Sequence, residues 1–309
     1  MKKFLLVPLL IPLAGLGTLY STFTAQTLPV PAGYAVKLPE ATPPPELTLS
    51  AIRAGKMFNQ AAFAYRGGSF GETRVFGMGA ILVRHPHGAL LFDSGFGRNV
   101  EAHFRTTPWL MQATSKYETE ATVADQLKAA GIDASMLKGV ILTHAHWDHV
   151  SGLEDLPGTP VLVNAAEREF IEAGGPPTAL ARGLGALNFQ IYQFESGPYL
   201  GFDQSHDVFG DGSVVLVPAP GHTPGSIIAF ISTPDGQRYA LVGDLVWQRE
   251  GVDLPAEKPF ISRRMVDWDE GKVRDLVVRM HQLQKAVPGL IVVPAHDRRV
   301  WDALPQLSP

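Results

Sequence analysis

The chain has 309 residues, of which 45% are hydrophobic and 18% charged, a composition typical of a globular protein and too apolar for a disordered one. Its 26 Lys and Arg residues against 30 Asp and Glu residues give a net charge of −4, so no overall positive field is available to hold nucleic acid. The absence of cysteine excludes disulfides, thiolate metal ligands and a cysteine nucleophile.

The N-terminus has the pattern of an export signal. Two lysines precede an uncharged apolar run over residues 4–19, and Ala25 would end a cleaved signal peptide of residues 1–25. Phe23 is large where a small residue is expected, so an uncleaved N-terminal anchor is the alternative, although the run is short for a span of about 20 residues. Both interpretations predict export: a periplasmic or secreted protein, or one anchored in the inner membrane and facing the periplasm.

A proline-rich segment follows the leader. Residues 26–45 contain six prolines, which prevent a helix and predict an extended linker. The folded domain is expected over residues 46–309. Its alternating apolar patterns predict strands near residues 47–53, 75–83, 89–92, 139–142, 160–164, 214–217, 227–232, 239–242 and 290–293. Glycine stops and amphipathic spacing predict helices over residues 121–130, 165–173 and 270–286.

Several of these strands share one feature: a short apolar strand ends and a His or Asp follows at once. Strand ends that meet at one edge of a sheet are where functional sites are built. The strongest signal is His144-Ala-His146-Trp-Asp148-His149, directly after a buried strand. A loop in this position can direct all four side chains to one place. Imidazole and carboxylate ligands without thiolate suit zinc, with iron, manganese or cobalt as alternatives.

Three further residues have the same setting. His222 lies in the turn Pro220-Gly-His-Thr-Pro-Gly225, Asp244 follows Val242-Gly, and His296 follows Val293-Pro-Ala. Each of them alone would more often be a turn or capping residue. Together with the motif they supply five His and two Asp, which is enough for two metal ions with an open or bridging position.

In this order, Asp93, the His-rich motif, His222, Asp244 and His296, the sequence resembles the metallo-β-lactamase superfamily over residues 47–296. The resemblance implies an α/β fold, a four-layer αββα sandwich with two divalent metal ions, zinc foremost, at one edge of its two sheets. It also implies a ligand set for each ion: His144, His146 and His222 for the first, Asp148, His149 and His296 for the second, and Asp244 bridging both. Asp93 would orient ligands rather than bind a metal.

The resemblance further implies hydrolysis, in which hydroxide generated between two close cations attacks an ester-like centre and Asp148 acts as the catalytic residue that passes on the proton. The sequence is most similar to the branch of N-acyl-homoserine lactonases and organophosphate hydrolases. Trp247 departs from that branch, because lactonases commonly place a tyrosine there. We therefore expect a lactone or ester hydrolase, with a phosphotriesterase or aryl-ester hydrolase as the alternative and a non-catalytic metal-binding protein as a third possibility.

The substrate pocket is predicted from apolar residues near the metal edge. Trp109, Met111 and Trp247 are expected to contact a small apolar ester or lactone, and residues 96–117 have the length of a loop that could cover the site. The alternative is that these side chains pack on the core. No nucleic-acid partner is expected, contact with a membrane is expected only through an N-terminal anchor, and similar enzymes are often homodimers.

Overall fold

The computed structural model describes residue 17 and residues 19–308, so the two lysines and most of the apolar run of the predicted leader lie outside the described residues. The strands form two sheets, with orders β4-β1-β2-β3-β5-β6-β7 and β12-β11-β10-β9-β8. The strands are β1 (Thr48–Gln60), β2 (Thr73–His85), β3 (Gly88–Phe92), β4 (Lys116–Thr119), β5 (Leu137–Ile141), β6 (Pro160–Asn164), β7 (Asn188–Tyr192), β8 (His206–Asp207), β9 (Val214–Pro218), β10 (Ile227–Ser232), β11 (Arg238–Gly243) and β12 (Leu290–Pro294).

Helices cover the outer faces of both sheets. They are α1 (Ala61–Ala64), α2 (Val100–Phe104), α3 (Trp109–Thr114), α4 (Val123–Ala129), α5 (Trp147–Val150), α6 (Ala165–Ala173), α7 (Ala179–Gly183), α8 (Glu250–Asp253), α9 (Phe260–Val266), α10 (Glu270–Ala286) and α11 (Arg298–Asp302). Among residues 17 and 19–308, no helix combines the length and the apolar character needed to cross a membrane.

The layer order follows from side chains that alternate between two buried faces. On β10, Ile227 and Ala229 pack between the two sheets, whereas Ile228 and Phe230 face the helix side of the smaller sheet. On β2, Ile81 likewise faces the other sheet while its neighbours pack under helices. The result is helix, sheet, sheet, helix, which confirms the predicted four-layer αββα sandwich.

The long helix α10 closes the outer face of the smaller sheet. Its buried residues recur every three or four positions and form one apolar stripe: Val273, Leu276, Val277, Met280 and Leu283. Asp269 caps its N-terminus by accepting a hydrogen bond from the backbone N–H of Lys272 at 3.0 Å. The predicted bounds of this helix are confirmed, and its role is packing.

The proline-rich segment is extended, as predicted, but it is fastened along the body. We call residues 26–45 the strap. The N–H of Leu28 donates to the carbonyl of Pro255 at 2.8 Å, and the N–H of Thr42 donates to the carbonyl of Asp211 at 2.8 Å. Leu28 and Tyr34 pack against the core under α10. The strap is therefore part of the packed domain rather than a free linker.

Residues 96–117 differ from the expected loop. They contain α2 and α3 and lead into β4, so short helices rather than irregular chain follow Asp93. The strands that the sequence patterns did not predict are β4, β7 and β8, and each lies at the edge of a sheet. An edge strand buries few side chains, so its sequence lacks the apolar pattern by which strands are detected.

Candidate metal centre

The predicted convergence of strand ends is confirmed by the backbone. Asp93 follows β3 directly, His144 is the third residue after β5, Asp244 follows β11 directly, and His296 is the second residue after β12. His222 lies in the turn between β9 and β10. All five side chains are at least nine-tenths buried and lie at one edge of the two sheets.

Helix α5 supplies the remaining residues of the motif. It begins directly after His146, so Asp148 and His149 belong to its first turn while His144 and His146 precede it in extended backbone. The sequence predicted a loop that directs all four side chains to one place. In the structure, the first two of these side chains come from the loop and the last two from the helical turn that follows it.

The structure brings all seven predicted ligands together. Their ligand atoms form three overlapping groups, each within 4.8 Å: His144, His146 and His222; His144, His149 and Asp244; and Asp148, His149 and His296. Asp244 lies between the two outer groups. Its Oδ1 is 3.0 Å from Nε2 of His296 and 3.2 Å from Nε2 of His149, and its Oδ2 is 3.6 Å from Nε2 of His222. This is the position that the predicted bridging role requires.

The buried polar atoms of this cluster fit divalent cations. Nε2 of His144, Nε2 of His149 and Oδ1 of Asp244 are buried and make no hydrogen bond, because the short contacts of Asp244 Oδ1 with two imidazoles lack hydrogen-bond alignment; this is a costly arrangement unless a ligand satisfies these atoms. Imidazole and carboxylate are the donors that zinc and related divalent ions accept. The residues present therefore fit a metal centre.

Burial and neighbouring charges shift the pKa values of these imidazoles in opposite directions. Burial lowers the pKa of His144 and His146 well below the usual histidine value, and the neighbouring imidazoles lower it further. Burial also acts to lower the pKa of His149, but the carboxylates of Asp93 and Asp244 outweigh it and raise that pKa. Neutral imidazole is the form that binds metal, so His144 and His146 are held ready for it.

Asp93 contacts the ring of one predicted ligand, His149. Its Oδ2 lies 2.8 Å from Nδ1 of His149, and its Oδ1 accepts the backbone N–H of Thr143 at 2.7 Å. The residue adopts φ of 60°, in the left-handed region that non-glycine residues seldom occupy. The backbone geometry thus turns this carboxylate toward the ring nitrogen that faces away from the other ligands.

His222 has a similar partner that sequence reasoning missed. Oδ1 of Asp267 is 2.8 Å from Nδ1 of His222, and the ammonium of Lys258 donates to the same oxygen at 2.8 Å. Burial acts to raise the pKa of Asp267, but the charge of Lys258 and the contact with His222 lower it overall. No local pattern marks this pair, because Asp267 lies 45 residues from His222 in the chain.

Glu167 is a second missed residue. Its carboxylate accepts the N–H of Ala145 at 2.6 Å, the hydroxyl of Thr223 at 2.7 Å and the N–H of Gly225 at 3.0 Å. Burial raises the pKa of Glu167 to about 7, against these hydrogen bonds. Asn164 caps α6 three residues earlier, so in sequence Glu167 has only the pattern of a helix-capping residue.

A cavity of about 580 Å³ opens onto the ligand cluster. Of the three residues predicted to contact substrate, Met111 and Trp247 line this cavity, whereas Trp109 is 78% exposed and does not. Its other walls are mainly apolar: Met57, Phe58, Phe63, Phe76, Met78, Leu110, Ile261 and Met265. Among the described residues that line this cavity there is no lysine, arginine or glutamate.

The indole of Trp247 is hydrogen-bonded to the ligand cluster. Its Nε1 donates a hydrogen bond to Oδ2 of Asp244 at 2.8 Å, and its ring packs edge-on against Phe76 with centroids 5.9 Å apart. The ammonium of Lys258 lies 5.4 Å from the ring centroid. Trp247 therefore fixes a ligand carboxylate and forms cavity wall, and its one donor is already in use.

Comparisons with known proteins agree with this geometry. The model of the metallo-beta-lactamase superfamily matches residues 80–296. A probable metallo-hydrolase of Mycobacterium bovis is 30% identical over 244 residues, 74% of this chain and 78% of the relative. An N-acyl homoserine lactonase, AttM of Rhizobium radiobacter, is 26% identical over 233 residues, 71% of this chain and 81% of the relative.

Solved structures of low identity share the fold. An N-acyl homoserine lactone hydrolase with N-hexanoyl-L-homoserine at its catalytic metal centre is similar with a TM-score of 0.65 at 18% identity, covering 84% of this chain and 96% of that one. The hydrolase AbOPH is similar with a TM-score of 0.56 at 18% identity, covering 85% and 91%. Given the family match, the ligand cluster and the sandwich, this chain belongs to the metallo-β-lactamase superfamily of metal-dependent hydrolases.

Proposed function

We propose that the chain is an exported, dinuclear metal-dependent hydrolase that opens neutral apolar lactones or esters, with acyl-homoserine lactones as the leading substrate class. One observation carries the proposal: the cluster of seven predicted His and Asp ligands borders a large apolar cavity, to whose wall five of its members belong, without a lysine or arginine among the described residues of that wall. A cavity of this kind accepts a neutral, greasy molecule and offers no counter-charge to an anionic one.

Two divalent cations in this cluster would polarise the carbonyl under attack and lower the pKa of water, so that hydroxide forms near neutral pH. His144, His146 and His222 would hold one ion, Asp148, His149 and His296 the other, and Asp244 would contact both. Asp93, Asp267 and Glu167 keep the ligand loops in place through the hydrogen bonds described above.

In this mechanism, Asp148 is the residue that moves a proton. It lines the cavity, and its Oδ2 lies 3.4 Å from Nε2 of His296, which leaves Oδ1 to accept the proton of the attacking water and return it to the departing alkoxide. The apolar walls contributed by β1, β2, α3 and α9 exclude water from the acyl chain and position the ester over the ligands.

A phosphotriester or aryl ester is the second candidate substrate class. The observation in its favour is Trp247, which has no hydroxyl and whose single N–H is engaged by Asp244. A lactone carbonyl therefore receives no hydrogen bond from this position. A neutral phosphotriester fits the same uncharged cavity.

Metal content and turnover of the full chain test the proposal. We expect two zinc ions per chain and release of acid from short- and long-chain acyl-homoserine lactones, with an aryl ester, a phosphotriester and a phosphodiester assayed in parallel. Asp244→Ala should leave at most one tightly bound ion and abolish turnover, because the contact shared by both groups is lost. Asp203→Ala, an exposed aspartate remote from the cluster, is the matched control.

The outcomes separate the alternatives. Turnover of the phosphotriester or aryl ester alone would support the second substrate class in place of lactones and would leave the proposed metal centre unchanged. Two ions with no hydrolysis of any neutral ester would favour a non-catalytic metal-binding protein. Unchanged turnover in Asp244→Ala would refute the dinuclear mechanism.

A further inference from the structure

The end of the predicted leader packs into the domain. The ring of Phe23 lies against Phe63 and Phe70, with centroid distances of 5.6 Å and 5.0 Å. The guanidinium of Arg66 donates to the carbonyl of Ser21 at 2.9 Å, and the N–H of Gly67 donates to the carbonyl of Phe23 at 2.9 Å. Residues 19–25 are thus held by side-chain and backbone contacts that signal-peptidase cleavage after Ala25 would remove.

The backbone at Gly67 is adapted to this contact. Its φ is +94°, a conformation that favours glycine, and a Cβ atom there would lie 2.9 Å from Cβ of Ala25. The N-terminal segment and the body therefore fit at the level of single atoms. A segment destined for removal has no need of such a fit.

The docked segment contacts the wall of the cavity. Phe63, the partner of Phe23, is itself a wall residue. Its carbonyl accepts a hydrogen bond from the hydroxyl of Ser262 at 2.7 Å, and Ser262 and Ile261 belong to the same wall. The N-terminal segment is therefore attached to the body at the wall of the cavity.

Large apolar side chains next to wall residues of the cavity are exposed, and we call Trp109, Phe260 and Trp268 the rim. Their exposed fractions are 78%, 43% and 56%. Trp109 and Phe260 each precede a wall residue in sequence, and the N–H of Trp268 donates to the carbonyl of His222 at 3.1 Å. The ammonium of Lys272 lies 5.2 Å from the Trp268 ring centroid. Tryptophan with a neighbouring lysine is the composition favoured where a protein meets a bilayer surface.

The sequence before the docked segment limits where a bilayer could lie. The uncharged apolar run ends at Leu19, four residues before Phe23. Four residues span at most about 14 Å, so lipid that holds the run lies within that distance of Phe23, whose ring packs against the wall residue Phe63. Exposed apolar side chains at this place would otherwise meet water.

We propose that residues 1–25 are retained, that the apolar run stays in a phospholipid bilayer, and that the rim rests on the bilayer surface so that the cavity opens toward lipid. The occupant of the rim is the bilayer interface itself, into which the two indoles and the phenyl ring insert. An apolar substrate then reaches the ligand cluster from the membrane. This orientation does not depend on which ester the site cleaves.

The first test is retention of the segment. The full chain, expressed with its own N-terminus, is recovered from the membrane fraction and its N-terminal residue is determined. We expect a mature chain that still contains Phe23 and that floats with vesicles of phosphatidylethanolamine and phosphatidylglycerol. A mature chain that begins after residue 25, or one that does not float, overturns the proposal.

The second test measures orientation and exploits the absence of native cysteine. Trp109→Cys, Phe260→Cys and Trp268→Cys are each labelled with an environment-sensitive fluorophore in the full chain. Met136→Cys is the matched control, because Met136 is 60% exposed and precedes β5, at the end of that strand opposite His144.

On addition of the same vesicles, we expect the rim labels to shift to shorter emission wavelengths and to be quenched by lipids that carry a nitroxide in the acyl chain. The label at position 136 should do neither. Equal responses at rim and control positions would mean a tether without a defined orientation and would overturn the rim contact. Neither test requires hydrolysis, so failure here is distinguishable from failure of the proposed function.

Discussion

Three of the ligand imidazoles are fixed through the ring nitrogen that does not face the cluster. Nδ1 of His149 meets Asp93, Nδ1 of His222 meets Asp267, and Nδ1 of His296 lies 2.9 Å from the carbonyl of Gly77. Such contacts select the tautomer and orient the ring before a metal arrives. The site is therefore organised by residues that no ligand motif contains.

We expect Asp267→Asn to weaken zinc binding by roughly tenfold, since partners of ligand imidazoles have effects of this size. The asparagine can still accept a hydrogen bond from His222, but it leaves the buried ammonium of Lys258 without its counter-charge. Competition with a chromophoric chelator measures the affinity. The same change at the exposed Asp275 is the control, and equal affinities of the two variants would contradict the role assigned to Asp267.

A pH dependence is predicted at His103. Burial lowers the pKa of His103, although the charges of Glu154 and Asp155 oppose the shift. Below the ordinary value of 6.5 the unfolded chain takes up a proton that the folded chain does not, so the contribution of His103 to stability is present above that pH and lost as pH falls. In His103→Gln, the free energy of unfolding measured in urea should therefore fall less steeply between about pH 7 and pH 5 than in the wild-type protein.

His87→Gln, the same substitution at an exposed position, is measured alongside as the control. A His103→Gln slope as steep as the wild-type slope would show that other groups carry the acid sensitivity.

The seven residues of the cluster could be predicted from the sequence because the spacing of the motif is local and the strand ends are marked by short apolar runs. Of the residues that contact them, Asp93 could be predicted only through the family resemblance, and Asp267 and Glu167 could not be predicted. Asp267 and Glu167 act through contacts 45 and 22 residues away in the chain, and only the fold makes them neighbours. Trp109 fails as a wall residue for a related reason: α3 turns its side chain outward, while Leu110 and Met111 face the cavity.

At the scale of elements, the junction of β6 and α6 joins two ligand loops. Asn164 ends β6, caps α6, and donates its amide to the carbonyl of Gly225 at 2.6 Å. Glu167, in the first turn of α6, contacts the loop of His144 and His146 as well as the turn of His222. The geometry of the first metal group therefore depends on an element that supplies no ligand.

We expect Glu167→Gln to lower the free energy of unfolding by about 1–3 kcal/mol, the cost of a buried polar group that loses its partner. The carboxylate accepts from three donors, and a glutamine NH₂ group cannot accept from any of them. Zinc retention should fall in parallel. Glu169→Gln, at an exposed position on the same helix, is the control. Equal stability of the two variants would refute the role of Glu167 in holding the two ligand loops together.

The central strands and α10 could be predicted because both faces of each strand, or one stripe of the helix, are buried. The edge strands β4, β7 and β8 could not, because their position in the sheet is fixed by pairing with a neighbour rather than by their own composition. Backbone pairing of this kind leaves little trace in a sequence.

At the scale of the whole molecule, the size and apolar character of the cavity predict selectivity for chain length. We expect kcat/KM for acyl-homoserine lactones to rise roughly fourfold for each added CH₂, the equivalent of about 0.8 kcal/mol per buried methylene, until the cavity of about 580 Å³ is filled. A series of even-numbered acyl chains measures this slope. A flat series would show that the acyl chain remains in water, and the lactone ring alone would then be recognised.

The first strand of the domain also touches the last residues of the described chain. Ala51 on β1 donates its N–H to the carbonyl of Pro305 at 2.7 Å and accepts the N–H of Leu307 at 3.1 Å. A side-chain pair, Arg53 and Asp302 at 2.7 Å, reinforces the contact. During synthesis, β1 emerges long before Pro305 and Leu307, so this border of the sheet has no partner until those residues have left the ribosome. The folding of β1 into its final environment must therefore follow the synthesis of the rest of the domain rather than accompany its own.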